Sequence, residues 1–211
     1  NIVKELVEKG YQVRVLDNFA TGQRSNIEPY IKNIELIEGD IRDFWTVVKA
    51  TKGIDYILHQ AALPSVPRSI DNPLTTTEVN VNGPRQNPFS QYSAVIPKFI
   101  SMLKNGQNPT IWGDGSTSRD FTYIDNVVNA NILACEKKAA VGNVINIACN
   151  KAFTLNELVE KLNGIMGTKI SPTHGTEKIG DVKHSLADIE KANSILGYKP
   201  QIDFGEGLKK T

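Results

Sequence analysis

Three short runs in the sequence end in residues suited to holding a polar ligand. YQVRVLD closes on Asp17, IELIEGD on Asp40 with Ile41 after it, and IDYILHQAA on His59, Gln60, Ala61 and Ala62. A carboxylate at the rim of a sheet accepts hydrogen bonds from both hydroxyls of a ribose, and it disfavours an added phosphate there. A side chain and a backbone group at Asp40 and Ile41 can bracket the edge of an adenine. Small residues such as Ala61 and Ala62 let a flat or charged group approach the backbone. Each acid has a plain structural reading too, because aspartate is common as the cap of a turn. Further on, IWG presents strand backbone that can bond a flat base, with Trp112 placed to stack on it. SRDF carries Arg119, whose planar fork matches a diphosphate. Trp112 equally reads as a core residue at a strand end, and Arg119 equally reads as the partner of Asp120. The three histidines are scattered, and Cys135 and Cys149 lack metal-ligand spacing, so no metal site is expected. Free thiols of this kind fit a reducing cytoplasm.

The elements that must position these residues follow from periodicity. NIVKELVEKG is an amphipathic helix with Ile2, Val3, Leu6 and Val7 on one face and Gly10 as its stop. Strands are expected at YQVRVLD, IELIEGD and IDYILHQAA, with helices at IRDFWTVVKAT and after Pro73. This alternation predicts an α/β fold with a parallel sheet covered by helices. From Pro84 onward the expected elements are a helix over QYSAVIPKFISMLKNG despite Pro97, a strand at PTIWGDG, a strand then helix over RDFTYIDNVVNANILACEKK, and a strand at GNVINIA. A helix over TLNELVEKLNGIMG opens with a capping box, Thr154 and Glu157. The last full helix is expected over DIEKANSILGYKP, closed by Gly197 and Pro200. The 211 residues carry a net charge of +1, which argues for neither nucleic acid nor an anionic membrane as partner. No apolar run is long enough to span a bilayer.

LDNFATG, EGDIRD, ILHQAALPSVPRSIDNP and NVNG, followed by PRQNP, QYSAVIPKFI, IWGDGSTSRDFTYIDNV and GDVKHSLADI, resemble the extended short-chain dehydrogenase/reductases. They are most similar to the NAD-dependent epimerase/dehydratase family and, within it, to the nucleotide-sugar 4-epimerases. The resemblance implies a Rossmann-like, doubly wound parallel sheet with a smaller α/β substrate-binding domain. It divides the chain into residues 1–83 and 84–211, with parts of 120–148 packing back on the first sheet. It implies NAD, held by Asp17, Asn18, Thr21, Gly22, Asp40, Ile41, Gln60, Ala61, Ala62 and Asn80. It implies a UDP-sugar, held by Ser65, Arg68, Val95, Ile111, Trp112, Arg119, Lys178 and Asp181. Taken without the family, Val95 reads as core packing, and SVPRS as a turn fixed by Pro64 and Pro67. The implied reaction is reversible hydride transfer at C4 of a UDP-hexose. Rival activities in the same family are nucleotide-sugar dehydration and UDP-glucuronate decarboxylation. A rival of another class is a non-catalytic nucleotide-sugar-binding protein. A homodimer is also implied.

The sequence departs from the family in three places. Lys178 stands where arginine is usual, which keeps the charge and loses the bidentate fork. The family's Gly-rich phosphate loop would lie ahead of Asn1. The family's catalytic Tyr-x-x-x-Lys pair is absent, so no catalytic residue is assigned. The expected place for the missing segment is between Gly83 and Pro84, where the two halves of the pattern meet.

Overall fold

Apolar residues repeating along one side of NIVKELVEKG produce helix α1 (Ile2–Glu8), and the chain leaves it through Gly10 at φ +80°. Strands β1 (Val13–Asp17) and β2 (Ile34–Glu38) then pair in parallel, Val13 opposite Ile34 and Asp17 opposite Glu38. Helix α2 (Phe44–Thr51) is capped by Asp43, whose carboxylate accepts the N–H groups of Trp45 (3.2 Å) and Thr46 (3.3 Å). Arg14 ties β1 to the end of this helix: its Nη1 donates to the carbonyls of Ala50 (3.0 Å) and Lys52 (2.9 Å), and its Nε to Glu35 (2.6 Å). The computed structural model describes residues 1–61, 81–84, 86, 94–177 and 182–211, and the chain divides into two units, Asn1–Leu63 and Pro64–Thr211.

The expected buried strand IDYILHQAA is a correction. Residues 54–61 join no ladder among the described residues, and Tyr56 and Ile57 are 64% and 66% exposed. A strand at this point of a doubly wound sheet needs a parallel neighbour, and the described residues supply none. GNVINIA is a second correction, since Val144 is exposed and residues 143–148 form no strand. Ile145 and Ile147 still pack partly against a core cluster, so side-chain burial holds the segment without a backbone neighbour. The helix expected after Pro73 lies outside the described residues.

The second unit begins with β3 (Val81–Asn82), which pairs in parallel with β6 (Thr122–Tyr123). Residues 81–83 therefore sit in the second unit, and the division falls ahead of Gly83. Helix α3 (Val95–Lys104) accepts Pro97 because it lies in the first turn, where no intrahelical donor is needed. Strand β4 (Thr110–Trp112) pairs in parallel with β8 (Thr173–Gly175), and β5 (Ser118–Arg119) antiparallel with β7 (Phe153–Thr154). Helix α4 (Ile124–Glu136) follows β6 directly. Helix α5 (Leu155–Met166) opens with the expected box: Glu157 N–H donates to Thr154 Oγ1 (3.1 Å), and Thr154 N–H to Glu157 Oε2 (2.7 Å). Helix α6 (Glu190–Leu196) ends at Gly197. A further helix, α7 (Phe204–Lys210), extends the fold beyond the helix expected to be last. Gly205 and Gly207 mask it in the sequence, since glycine opposes helix. Tyr123 makes Gly207 necessary, because a Cβ there would lie 2.9 Å from Tyr123 Cβ.

The main core gathers Ile96, Phe99 and Leu103 of α3, Leu158, Val159 and Leu162 of α5 and Leu208 of α7 around Ile111 and Phe121. Phe204 stacks on both Phe121 (centroids 5.1 Å) and Phe153 (4.4 Å). A smaller cluster joins Ala130, Ala192, Leu196 and Tyr198. Asn126, buried at the start of α4, clamps the chain before α7. Its Oδ1 accepts the N–H groups of Gln201 (2.9 Å) and Ile202 (3.0 Å), and its Nδ2 donates to Ile202 O (2.8 Å). Leu158 has no exposed surface. The Leu158→Ala variant is expected to lose about 3 kcal/mol of stability, read as a lower midpoint in urea unfolding followed by circular dichroism.

Candidate functional site

In the first unit, two strand ends meet. Asp17 Oδ1 accepts Phe19 N–H at 2.8 Å, which helps hold Phe19 at φ +51°. Its Oδ2 faces Gly22, where a Cβ would come within 3.1 Å. Asp17 thus does cap its turn, with one oxygen, while the other looks onto a residue that has no side chain. Asn18 spans to the neighbouring strand end, its Nδ2 donating to Asp40 Oδ2 at 3.0 Å. Thr21 and Gly22 lie exposed in the same loop. Asp40 also accepts Arg42 N–H at 2.8 Å and both arms of the Arg42 guanidinium, at 2.9 and 2.7 Å. These bonds, the guanidinium's first, hold the Asp40 carboxyl well below the usual carboxylate range. Ile41 beside it is exposed. Gln60 and Ala61 are exposed at the end of the run of residues 54–61.

In the second unit, Arg119 is buried and its Nη1 donates to the carbonyls of Ser118 (2.9 Å) and Lys183 (3.4 Å). Asp120 turns elsewhere: its Oδ1 accepts Cys149 N–H at 3.0 Å, and its buried Oδ2 has no hydrogen-bond partner among the described residues. The segment from Lys183 to Ser185 runs along β5, through Ser118 N–H to Lys183 O (2.9 Å), Ser185 N–H to Ser118 O (3.1 Å) and a bond between Ser118 Oγ and His184 Nδ1 (2.9 Å). SRDF and the end of GDVKHS, far apart in sequence, are thereby joined. Ile111 is fully buried, and β8 already lies along one side of it. Trp112 is 44% exposed, with its indole against Gly175, where a Cβ would lie 2.8 Å from two ring carbons. Val95 begins α3 and packs on the core. Ala62, Ser65, Arg68, Asn80, Lys178 and Asp181 lie outside the described residues. Among the described residues no group of three His, Cys, Asp or Glu is placed to hold a metal, and no helix is long and apolar enough to cross a membrane.

The sequence pattern of the NAD-dependent epimerase/dehydratase family matches residues 1–87 and 79–148, well over half of the chain. The chain belongs to this family. Its cofactor is NAD, and its fold is that of the Rossmann-type epimerases. The two matched ranges overlap at residues 79–87. The chain is similar to a putative UDP-glucose 4-epimerase of Methanocaldococcus jannaschii, 27% identical over 288 positions that take in all of this chain and 92% of that relative. Since the chain has 211 residues, that alignment leaves many positions of the relative with no counterpart here. Among solved structures it is similar to the UDP-glucose 4-epimerase of Thermotoga maritima with UDP-glucose, at 26% identity and a TM-score of 0.90, covering all of this chain and 92% of the other. It is also similar to a UDP-N-acetylglucosamine 4-epimerase from Methanobrevibacter ruminantium in complex with UDP-N-acetylmuramic acid, at 30% identity and a TM-score of 0.89 with the same coverages.

The residues present fit the adenosine end of NAD. Asp17 is a carboxylate, an acceptor of the kind a ribose diol needs, and it lies beside the bare backbone of Gly22, where a Cβ would come within 3.1 Å of Oδ2. The sequence does not show the pairing of Ser118 with His184, nor the Asp120 oxygen that has no partner among the described residues. The motif strings contain all three residues, but a contact across 66 positions leaves no local signature.

Asp40 gives a pH test. A carboxyl held low in the folded state adds stability above its unfolded value, and that stability is lost as pH falls through the folded value. The Asp40 carboxyl carbon is expected to titrate by NMR clearly below the ordinary 3.8 of aspartate. In the Arg42→Ala variant it should move up toward that value, and acid unfolding should lose part of its pH dependence.

Proposed function

We propose that this protein is an NAD-dependent UDP-hexose 4-epimerase. One observation carries the reading: across its whole length the chain is similar, at 26% and 30% identity, to two 4-epimerases whose structures were solved with UDP-sugars. NAD supplies reversible hydride exchange with C4 of the sugar, which inverts that centre. In this reading Asp17 binds the adenosine ribose, and the Ile41 backbone with Asp40 meets the adenine. Asn18, Thr21, Gly22, Gln60, Ala61, Ala62 and Asn80 line the rest of the cofactor. Arg119, with Lys178, takes the diphosphate; the Ile111 backbone, Trp112, Val95 and Asp181 take the uridine; Ser65 and Arg68 lie toward the sugar. A homodimer and a cytoplasmic location belong to the same reading.

None of the six tyrosines is followed four residues later by lysine. We infer that the proton-transferring pair belongs to the positions that relatives have in excess, between Gly83 and Pro84. The same observation favours a second reading, a nucleotide-sugar-binding protein without turnover. The purified protein incubated with UDP-galactose or UDP-N-acetylgalactosamine decides between them. Appearance of the C4 epimer supports the epimerase, and retention of NAD and UDP without conversion supports the binding protein. Loss of carbon dioxide from UDP-glucuronate, or of the 6-hydroxyl oxygen from a UDP-hexose, points to a sister activity. Absence of both NAD and UDP binding overturns both readings. Asp17→Ala is expected to weaken NAD binding by at least about tenfold, measured by the NAD released from denatured protein and by calorimetry.

A further inference from the structure

Between Trp112, at the end of β4, and Arg119, in β5, the chain makes the loop Gly113–Thr117, and the start of α5 holds it at several points. Leu155 N–H donates to Thr117 O (3.0 Å) and Asn156 N–H to Gly115 O (3.3 Å), so two amides that a helix end leaves without partners are satisfied by the loop. The Asn156 side chain adds a third bond, Nδ2 donating to Asp114 O at 3.1 Å. Within the loop, Asp114 Oδ1 accepts the N–H (2.9 Å) and hydroxyl (2.6 Å) of Ser116. Gly115 stands at φ +79°, and a Cβ there would run into the Asn156 amide. At the near end Gly113 N–H donates to Gly175 O (2.9 Å), under the Trp112 indole.

We propose that Asn156 is a positioning residue for nucleotide binding: through the Gly113–Thr117 loop it sets the spacing between Trp112 and Arg119. The proposal rests on the reading above that these two residues grip a UDP group. A glycine in the left-handed region is an easy pivot, and Gly115 lies midway between the two grips. The backbone bonds from Leu155 and Asn156 restrain the two sides of this pivot. The side-chain amide of Asn156 fills the space beside it and bonds the carbonyl just before it. Removing that amide leaves both grips intact and lets the distance between them vary. A ligand that needs both grips at once then loses more than a ligand that needs one.

The test compares UDP with uridine and with pyrophosphate, each titrated into the full chain. Asn156→Ala is expected to weaken UDP binding by about tenfold, the equivalent of one lost hydrogen bond, and to leave uridine and pyrophosphate within about twofold. Asn156→Asp removes the same donor but places a carboxylate in the first turn of α5, where it favours the helix; it keeps the protein folded and is expected to show the same selective loss for UDP. Val159→Ala, in the core face of the same helix, should lower the unfolding midpoint and leave UDP affinity unchanged. Failure of the unaltered protein to bind UDP sinks the reading of the site itself. If that protein binds UDP and a folded Asn156 variant binds it as tightly, or loses all three ligands in equal measure, the positioning role is wrong.

Discussion

The second unit depends on how Ser118 and Arg119 are bonded along their backbone. This strand of two residues has a neighbour on each side: Phe153–Thr154 runs antiparallel to it, and residues 183–185 lie along its other edge. The first contact brings the capped start of α5 to the loop before Arg119. The second brings the carbonyl of Lys183 to the guanidinium. A buried arginine is costly unless its donors are met, and here the ladder's own carbonyls meet part of that demand. Backbone pairing thus helps to fix the position of the cation. The Asp120 carboxylate, the obvious partner in the sequence, is engaged by the amide of Cys149 instead.

Local signals in the sequence were legible where local physics decides the outcome. Thr154 with Glu157 marked the start of α5, and Gly197 the end of α6. Val13–Asp17 and Ile34–Glu38 read as strands because each alternates apolar residues beside a partner that is present in the chain. The runs Ile54–Ala61 and Val144–Ala148 have the composition of strands, but no described neighbour completes them, and composition cannot show whether a neighbour exists. Helix α7 was hidden for the opposite reason. Its glycines weaken the local preference, while stacking of Phe204 on Phe121 and Phe153 supplies what propensity lacks.

The candidate site shows the same division. Asp17, Asp40 and Arg119 stood out by residue type and by their place at strand ends. Their actual partners did not: the bidentate grip of Arg42 on Asp40 and the carbonyls around Arg119 depend on rotamers and tertiary contacts. Trp112 could be read as either core or surface, and a residue on the neighbouring strand decides it. Gly175, opposite Trp112 in the β4–β8 ladder, clears room for an indole to lie flat on the backbone at the surface.

Ala50 is the one buried side chain among the described residues of the first unit. Its parallel ladder and its helices are held mainly by backbone pairing and by half-covered side chains, so brief openings there disrupt little packing. Amide protons of Val13–Asp17 and Ile34–Glu38 should accordingly trade with deuterium well before those of α5.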